Sequence, residues 1–216
     1  MLLNISTRYQ AAMLLVFWNT FVLLFRMEVS DTRWFFFFIW NLFLAILPFL
    51  GGDLAAWLAE RKRKAAAVAC ILLSVLFLPN SPYIITDLFH LRTRAEMPLW
   101  YDTLALFSIA LSGLLFYYAA LFQIHKAIAT LWSRRWAEAS VWAISFLSGY
   151  GIYLGRYLRF NSWDVVSNPD GLFNHITNTI TNPLVHTRMV GVTVFYGVFL
   201  LVGYWVVRLW GRSVPG

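Results

Sequence analysis

Asp87 and His90 lie three residues apart in segment 78–90, a polar stretch that also contains Pro79 and Pro82. On a helix, side chains at this spacing share a face, so a carboxylate and an imidazole can both reach one metal ion or one proton. The alternative is a helix end at the water interface, with the imidazole near the negative end of the helix dipole. An isolated Asp-x-x-His motif is weak evidence for a metal site and favours this alternative. Only their spacing makes Asp87 and His90 candidate metal ligands.

Two arginines, Arg156 and Arg159, share a helix face at the end of another apolar segment, and Asn161 and Asp164 follow them. Two guanidinium groups beside amide and hydroxyl donors would suit a phosphate or a carboxylate. Alternatively, both arginines extend to the level of the lipid headgroups and only anchor the helix end. The sequence leaves both interpretations open.

The same polar residues, together with Asp102, would also serve an enzyme acting on lipid or cell-envelope intermediates. The acids and the imidazole would be metal ligands or acid–base groups, the arginines would hold phosphate, and the amides would orient the substrate. The candidate residues are Asn80, Asp87, His90, Asp102, Arg156, Arg159, Asn161 and Asp164. No known catalytic signature accompanies them. In a structural or accessory subunit, the three acids would instead pair with the two arginines and lock the helices together.

The composition is that of a membrane protein. Of the 216 residues, 60% are hydrophobic and 12% are charged, whereas soluble domains are about 45–50% apolar and about 25% charged. Aromatic residues make up 19% and include 11 tryptophans, which fits side chains anchored at membrane interfaces. The net charge of +7 does not indicate nucleic acid, because the basic residues lie in short loops between apolar runs. The single cysteine, Cys70, excludes an intrachain disulfide.

Six apolar runs are long enough to cross a bilayer, which takes about 20 residues. They cover residues 10–26, 34–58, 65–85, 99–124, 137–158 and 189–209. No small-residue cleavage signal follows the first run, so we predict a retained span and not a signal peptide. The runs leave no room for a soluble domain, and residues 1–216 are predicted to form one integral membrane domain.

Prolines and glycines interrupt two of these runs. Pro79 and Pro82 predict a break in the third helix and a short helical restart over residues 83–91. Pro48 and the glycines that follow it predict that the second helix kinks or ends near residue 50.

The connection between the fifth and sixth runs predicts a further helix. Residues 168–171, Asn-Pro-Asp-Gly, are typical of a turn or a helix N-cap. Apolar residues then recur at helical spacing, at Phe173, Ile176, Ile180 and Leu184. This pattern predicts an amphipathic helix on the membrane surface or across the end of the bundle. His175 and His186 could add ligands there, but such histidines are more often interfacial.

Lysine and arginine counts predict the orientation in the membrane. Most basic residues fall on the side of the two termini, led by the run Arg61-Lys62-Arg63-Lys64, so we predict both termini in the cytoplasm. Segments 80–90 and 156–188 then share the outer face, where they could meet. Gly151 and Gly155 form a small-xxx-small pair that would let another helix approach closely.

The strings at 78–91, 100–102 and 153–164 together resemble a family of small bacterial integral membrane proteins known only as a domain of unknown function. The resemblance runs from about the second span to the sixth. It implies a bacterial inner membrane and carries no activity. The two long strings carry the resemblance, which strengthens the expectation that they form a site.

The sequence therefore predicts an all-α, polytopic transmembrane bundle of about six spans, with a broken third helix and an interfacial amphipathic helix. We expect a polar site on the outer face that binds an anionic headgroup or a small anion. The expected partner is the lipid bilayer, with a possible anionic lipid and no nucleic acid. The enzyme and the structural subunit remain the alternatives.

Overall fold

The computed structural model describes residues 5–30, 35–92 and 97–213, apart from the side chains of residues 5, 90, 212 and 213. These residues form helices and no strand. The α-helices are α1 Ile5–Ser30, α2 Phe36–Glu60, α3 Lys64–Phe77, α4 Asn80–Tyr83, α5 Leu99–Leu131, α6 Arg134–Leu158, α7 Asp164–Ser167, α8 Pro169–Thr181 and α9 Thr187–Ser213. A 3₁₀ helix, Ile84–His90, follows α4. The predicted all-α fold is confirmed.

Five helical stretches among the described residues are long and apolar enough to cross a membrane: Ser6–Ser30, Phe36–Glu60, Lys64–Phe89, Leu99–Leu131 and Thr187–Gly211. The chain is therefore a multi-pass membrane protein. The remaining predicted span corresponds to α6, which has 25 residues. It is long enough to cross but more polar, because serine, glycine and tyrosine alternate with its apolar residues.

Side-chain contacts divide the bundle into two ends. At the Arg8 end, ion pairs join the long helices: Arg8 with Asp53, Lys126 with Glu60, and Arg208 with Glu138. At the other end, the Asp87 end, the joining contacts are Arg26 with Asp102, Asn41 with Asp87, and Asn80 with Ser162. Successive long helices therefore run in opposite directions, and both ends of the described chain lie at the Arg8 end.

The second helix does not stop at its proline. The sequence predicted a kink or an end near residue 50. α2 runs through Pro48 to Glu60 as one helix, so the second of these alternatives, the end, is wrong. Small residues explain why this stretch is packed inside the bundle. A Cβ on Gly52 would lie 3.0 Å from the backbone oxygen of Ala120 in α5, so α2 and α5 approach at backbone distance.

The predicted break in the third helix is present. α3 ends at Phe77, and the chain passes through Pro79 into α4 and the 3₁₀ helix. This broken segment packs against α6 at its glycines: a Cβ on Gly151 would lie 2.6 Å from the Pro79 ring, and one on Gly155 would lie 3.1 Å from the Tyr83 ring. The small residues Gly151 and Gly155 therefore let the broken third helix pack closely against α6.

The amphipathic helix α8 begins as predicted. The Asn168 side chain accepts a hydrogen bond from the backbone N–H of Gly171, at 3.2 Å, and Pro169 occupies the first turn. The helix ends at Thr181, before Leu184, which is 90% exposed. The reason is Pro183, which disfavours helical backbone at the residue before it.

Candidate functional site

The two polar segments of the Asp87 end meet at a cavity of about 760 Å³, which we call the Arg159 cavity. Its walls come from α2, from the broken third helix, from α6, from residues 159–165 that follow it, and from α8. The apolar wall includes Leu44, Leu72, Val75, Leu76, Leu147, Leu154 and Ile176. The polar wall includes Asn41, Asn80, Tyr150, Arg159, Asn161 and Ser162. The cavity is therefore amphipathic.

Asn80 joins the two segments directly. Its Nδ2 donates to the Phe77 carbonyl and to Ser162 Oγ, both at 2.9 Å. Ser162 Oγ donates in turn to the Leu76 carbonyl at 3.2 Å. The break at Pro79 leaves these last carbonyls of α3 without their usual helical donors, and the two side chains replace those donors. The expectation that the two segments meet is confirmed.

Arg159 is held in an unusual backbone conformation beside the cavity. It follows the last residue of α6 with φ 62° and ψ 26°, a left-handed conformation that usually takes glycine. The backbone N–H groups of Arg159 and Phe160 both donate to the Leu154 carbonyl, which closes the end of the helix. Among the described residues, no acid lies within ion-pair distance of Arg159. Its exposed guanidinium is therefore available to a ligand.

Asp87 lies behind the cavity and does not line it. Its side chain is 1% exposed, and Asn41 Nδ2 donates to Asp87 Oδ2 at 3.0 Å. Arg156 lies 5.3 Å from the Phe89 ring and close enough to Asp87 for an electrostatic interaction. Asn41 itself lines the cavity, so Asp87 contacts the site through Asn41. The His90 side chain lies outside the described part of the chain, and with it the predicted Asp87–His90 pair.

Asp102 belongs to a different contact. Arg26 Nε donates to Asp102 Oδ1 at 2.6 Å and Nη2 donates to Oδ2 at 3.3 Å, with both side chains buried. The Arg26 guanidinium also lies over the Phe35 ring, 4.8 Å from its centroid. This pair joins α1 to α5, whereas the structural alternative expected Asp102 to pair with Arg156 or Arg159.

Asp164 stabilises its own turn. The backbone N–H of Asn161 donates to Asp164 Oδ2 at 2.6 Å, and the Ser167 hydroxyl donates to Oδ1 at 2.7 Å. These two donors, the Asn161 N–H first, lower the pKa of the Asp164 carboxyl below its ordinary value. Asp164 therefore shapes the loop that carries Asn161, whose side chain lines the cavity.

The three predicted acids do not converge on one point. Asp87 is bound by Asn41, Asp102 by Arg26, and Asp164 by its own loop. In the described ranges, no group of three histidine, cysteine, aspartate or glutamate side chains could hold a metal ion. None of the described acids lines the Arg159 cavity. The described lining therefore combines one guanidinium group with amide and hydroxyl groups.

Residues of α2 and α8 complete the cavity, and the sequence did not single them out for it. Tyr150 Oη and Thr179 Oγ1 lie 2.7 Å apart, which attaches α8 to α6. The His175 ring packs edge-on against Phe160, with the ring centroids 5.6 Å apart, so His175 has a packing role. Asn41 is an amide within a predicted span, and the sequence predicts a hydrogen bond between helices for such an amide. The contact with Asp87 is of this kind.

Comparison with curated proteins and with solved structures found no match. A family model described as "Protein of unknown function (DUF1361)" matches residues 40–202, a range that contains every wall of the Arg159 cavity. Because this match covers well over half of the chain, the protein belongs to the DUF1361 family.

Proposed function

We propose that this protein binds an amphiphile with an anionic headgroup in the Arg159 cavity. The observation that carries the proposal is the lining itself: Arg159 is its charged residue, no described acid lies on it, and most of its wall is apolar. A guanidinium can donate two parallel hydrogen bonds to a phosphate or a carboxylate. The apolar wall would hold the hydrocarbon part of the same molecule.

Arg159 favours an anion over a neutral headgroup because it is the charged residue of the lining. The Asn161 side chain lies on the same polar wall, and its amide could add a hydrogen bond to a headgroup oxygen. The donors of Asn80 and Ser162 are already used within the wall, where they hold it in shape. The volume of about 760 Å³ falls within the range of about 300–1,000 Å³ that is typical of small-molecule sites.

The left-handed backbone at Arg159 offers a test in which the guanidinium is lost without damage to the fold. Arg159→Gly suits that conformation, so we expect its free energy of unfolding to stay within about 1 kcal/mol of the wild type. Lys62→Gly is the matched control, because Lys62 also has a positive φ, 58°, but lies in the loop at the Arg8 end.

The binding experiment uses dioleoyl phosphatidic acid titrated against the protein in neutral-lipid nanodiscs. We expect Arg159→Gly to weaken binding about tenfold or more, because charge-assisted hydrogen bonds contribute about 1.5–3 kcal/mol. Lys62→Gly should bind as the wild type does. Inorganic phosphate that competes at concentrations as low as those of the lipid would show that the apolar wall adds no affinity, and would identify a small anion as the ligand. Unchanged lipid binding in Arg159→Gly would refute the proposed function, and a marked loss of stability would support a structural role for the arginine.

A further inference from the structure

A second amphipathic cavity, of about 720 Å³, lies at the Arg8 end between α1, α2, α5 and α9. We call it the Arg8 cavity. Its apolar wall includes Leu15, Phe49, Leu115, Phe116, Phe122 and Val207. Its basic lining residues are Arg8, His125, Lys126 and Arg208, and no described acid lies on it. The cavity thus shows the same combination of apolar wall and basic rim as the Arg159 cavity, at the opposite end of the bundle.

Ion pairs with acids outside the lining hold three of these basic side chains in place. Arg208 donates to both carboxylate oxygens of Glu138, at 2.7 and 2.8 Å. Arg8 Nη1 donates to Asp53, and Lys126 Nζ lies 2.6 Å from Glu60 Oε1. Asp53, Glu60 and Glu138 do not line the cavity. The pairs therefore fix the orientation of the rim before any ligand arrives, which reduces the ordering cost of binding.

Two buried nitrogen atoms on this rim lack hydrogen-bond acceptors within the described part of the chain: Arg8 Nε and His125 Nε2. His125 Nε2 lies 3.6 Å from Glu138 Oε1, which is within ion-pair distance but beyond hydrogen-bond distance. Buried donors are nearly always paired, and leaving one unpaired is costly. Both nitrogens belong to cavity-lining residues, so a ligand with acceptor oxygens would satisfy them.

We propose that the Arg8 cavity is a phospholipid site, in which Arg8 and His125 donate to the phosphate and the acyl chain lies against Phe116 and Phe122. The basic rim complements the phosphate, and the aromatic wall complements the chain. Because this cavity lies at the opposite end from the Arg159 cavity, the lipid comes from the other leaflet. The site does not depend on the proposed function.

The test counts lipids that remain bound during native mass spectrometry, with dilauroyl phosphatidylglycerol as the probe. All variants carry Arg159→Gly, so that the Arg159 cavity does not contribute. Ala119→Phe fills the Arg8 cavity, and His125→Phe keeps a ring but removes the donor. Leu111→Phe, on an exposed position of the same helix α5, is the control for added bulk.

We expect one retained lipid in the Arg159→Gly background and in Leu111→Phe, and none in Ala119→Phe. His125→Phe should weaken retention about tenfold, the effect of one strong hydrogen bond. Dilauroylglycerol, which lacks the phosphate, should not be retained. Retention that survives Ala119→Phe, or equal retention of the diacylglycerol, would overturn this proposal. Either result would leave the proposed function untouched, since that depends on the change caused by Arg159→Gly alone.

Discussion

At the residue scale, the Arg26–Asp102 pair is the contact whose loss should matter most for stability. Both side chains are buried, and they join α1 to α5. Asp102→Leu leaves a buried guanidinium unpaired, so we expect a loss of about 3–5 kcal/mol in the free energy of unfolding. Reversible unfolding in mixed micelles, titrated with denaturing detergent, measures this loss.

The double variant Arg26→Met/Asp102→Leu is the control for that prediction. It removes both charges, so most of the lost stability should return, because buried ion pairs can often be replaced by apolar pairs. Equal losses in the single and double variants would show that the packing of α1, and not the ion pair, determines the effect. The candidate lipid sites contain neither residue.

At the element scale, the fit between the broken third helix and α6 determines the shape of the Arg159 cavity. Gly151→Ala places a methyl group 2.6 Å from the Pro79 ring, so the helices must move apart. We expect a loss of about 1–3 kcal/mol, typical of overpacking, and weaker binding of phosphatidic acid. Unfolding and nanodisc titration of the same preparation measure both.

Gly191→Ala is the matched control, because a Cβ at Gly191 in α9 would meet no atom within 4 Å. Alanine is a better helix former than glycine, so this variant should gain about 0.5–1 kcal/mol. If Gly151→Ala were as stable as Gly191→Ala, the close approach of the broken helix to α6 would not hold.

The elements were largely predictable from sequence, because they follow local rules. Pro79 and Pro82 marked the break in the third helix, and Asn168 marked the start of α8. Two boundaries were wrong. α2 continues past Pro48 to Glu60, and Pro183 ends α8 before Leu184.

The long-range partners of the candidate residues were not predictable in the same way. Arg26 and Asp102 are 76 positions apart, and Asn41 and Asp87 are 46 apart. No local pattern connects such residues, because their contacts depend on how the helices pack. The left-handed backbone conformation of Arg159 was also not predictable from the sequence, since glycine is the residue that usually adopts it.

At the scale of the whole molecule, the orientation in the membrane is a prediction that labelling can test. Cys70 is the chain's single cysteine, so Cys70→Ala gives a background for new ones. In that background we place Val166→Cys at the Asp87 end and Ala65→Cys at the Arg8 end, both at exposed positions. If the termini are cytoplasmic, an impermeant maleimide should label Val166→Cys in intact cells, and Ala65→Cys only after permeabilisation. The reverse pattern would place the Arg159 cavity in the cytoplasmic leaflet.

The central claim is that the Arg159 guanidinium holds the headgroup of an anionic amphiphile. Its most direct test is a solid-state NMR measurement of ¹⁵N–³¹P dipolar coupling, with guanidinium-labelled protein in nanodiscs that contain phosphatidic acid. Subtracting the spectrum of Arg159→Gly from that of the wild type leaves the signal of the Arg159 guanidinium. We expect lipid phosphorus to dephase this signal, because a paired guanidinium and phosphate are in hydrogen-bond contact. A difference signal without dephasing would mean that Arg159 holds no phosphate, and would contradict the proposed function.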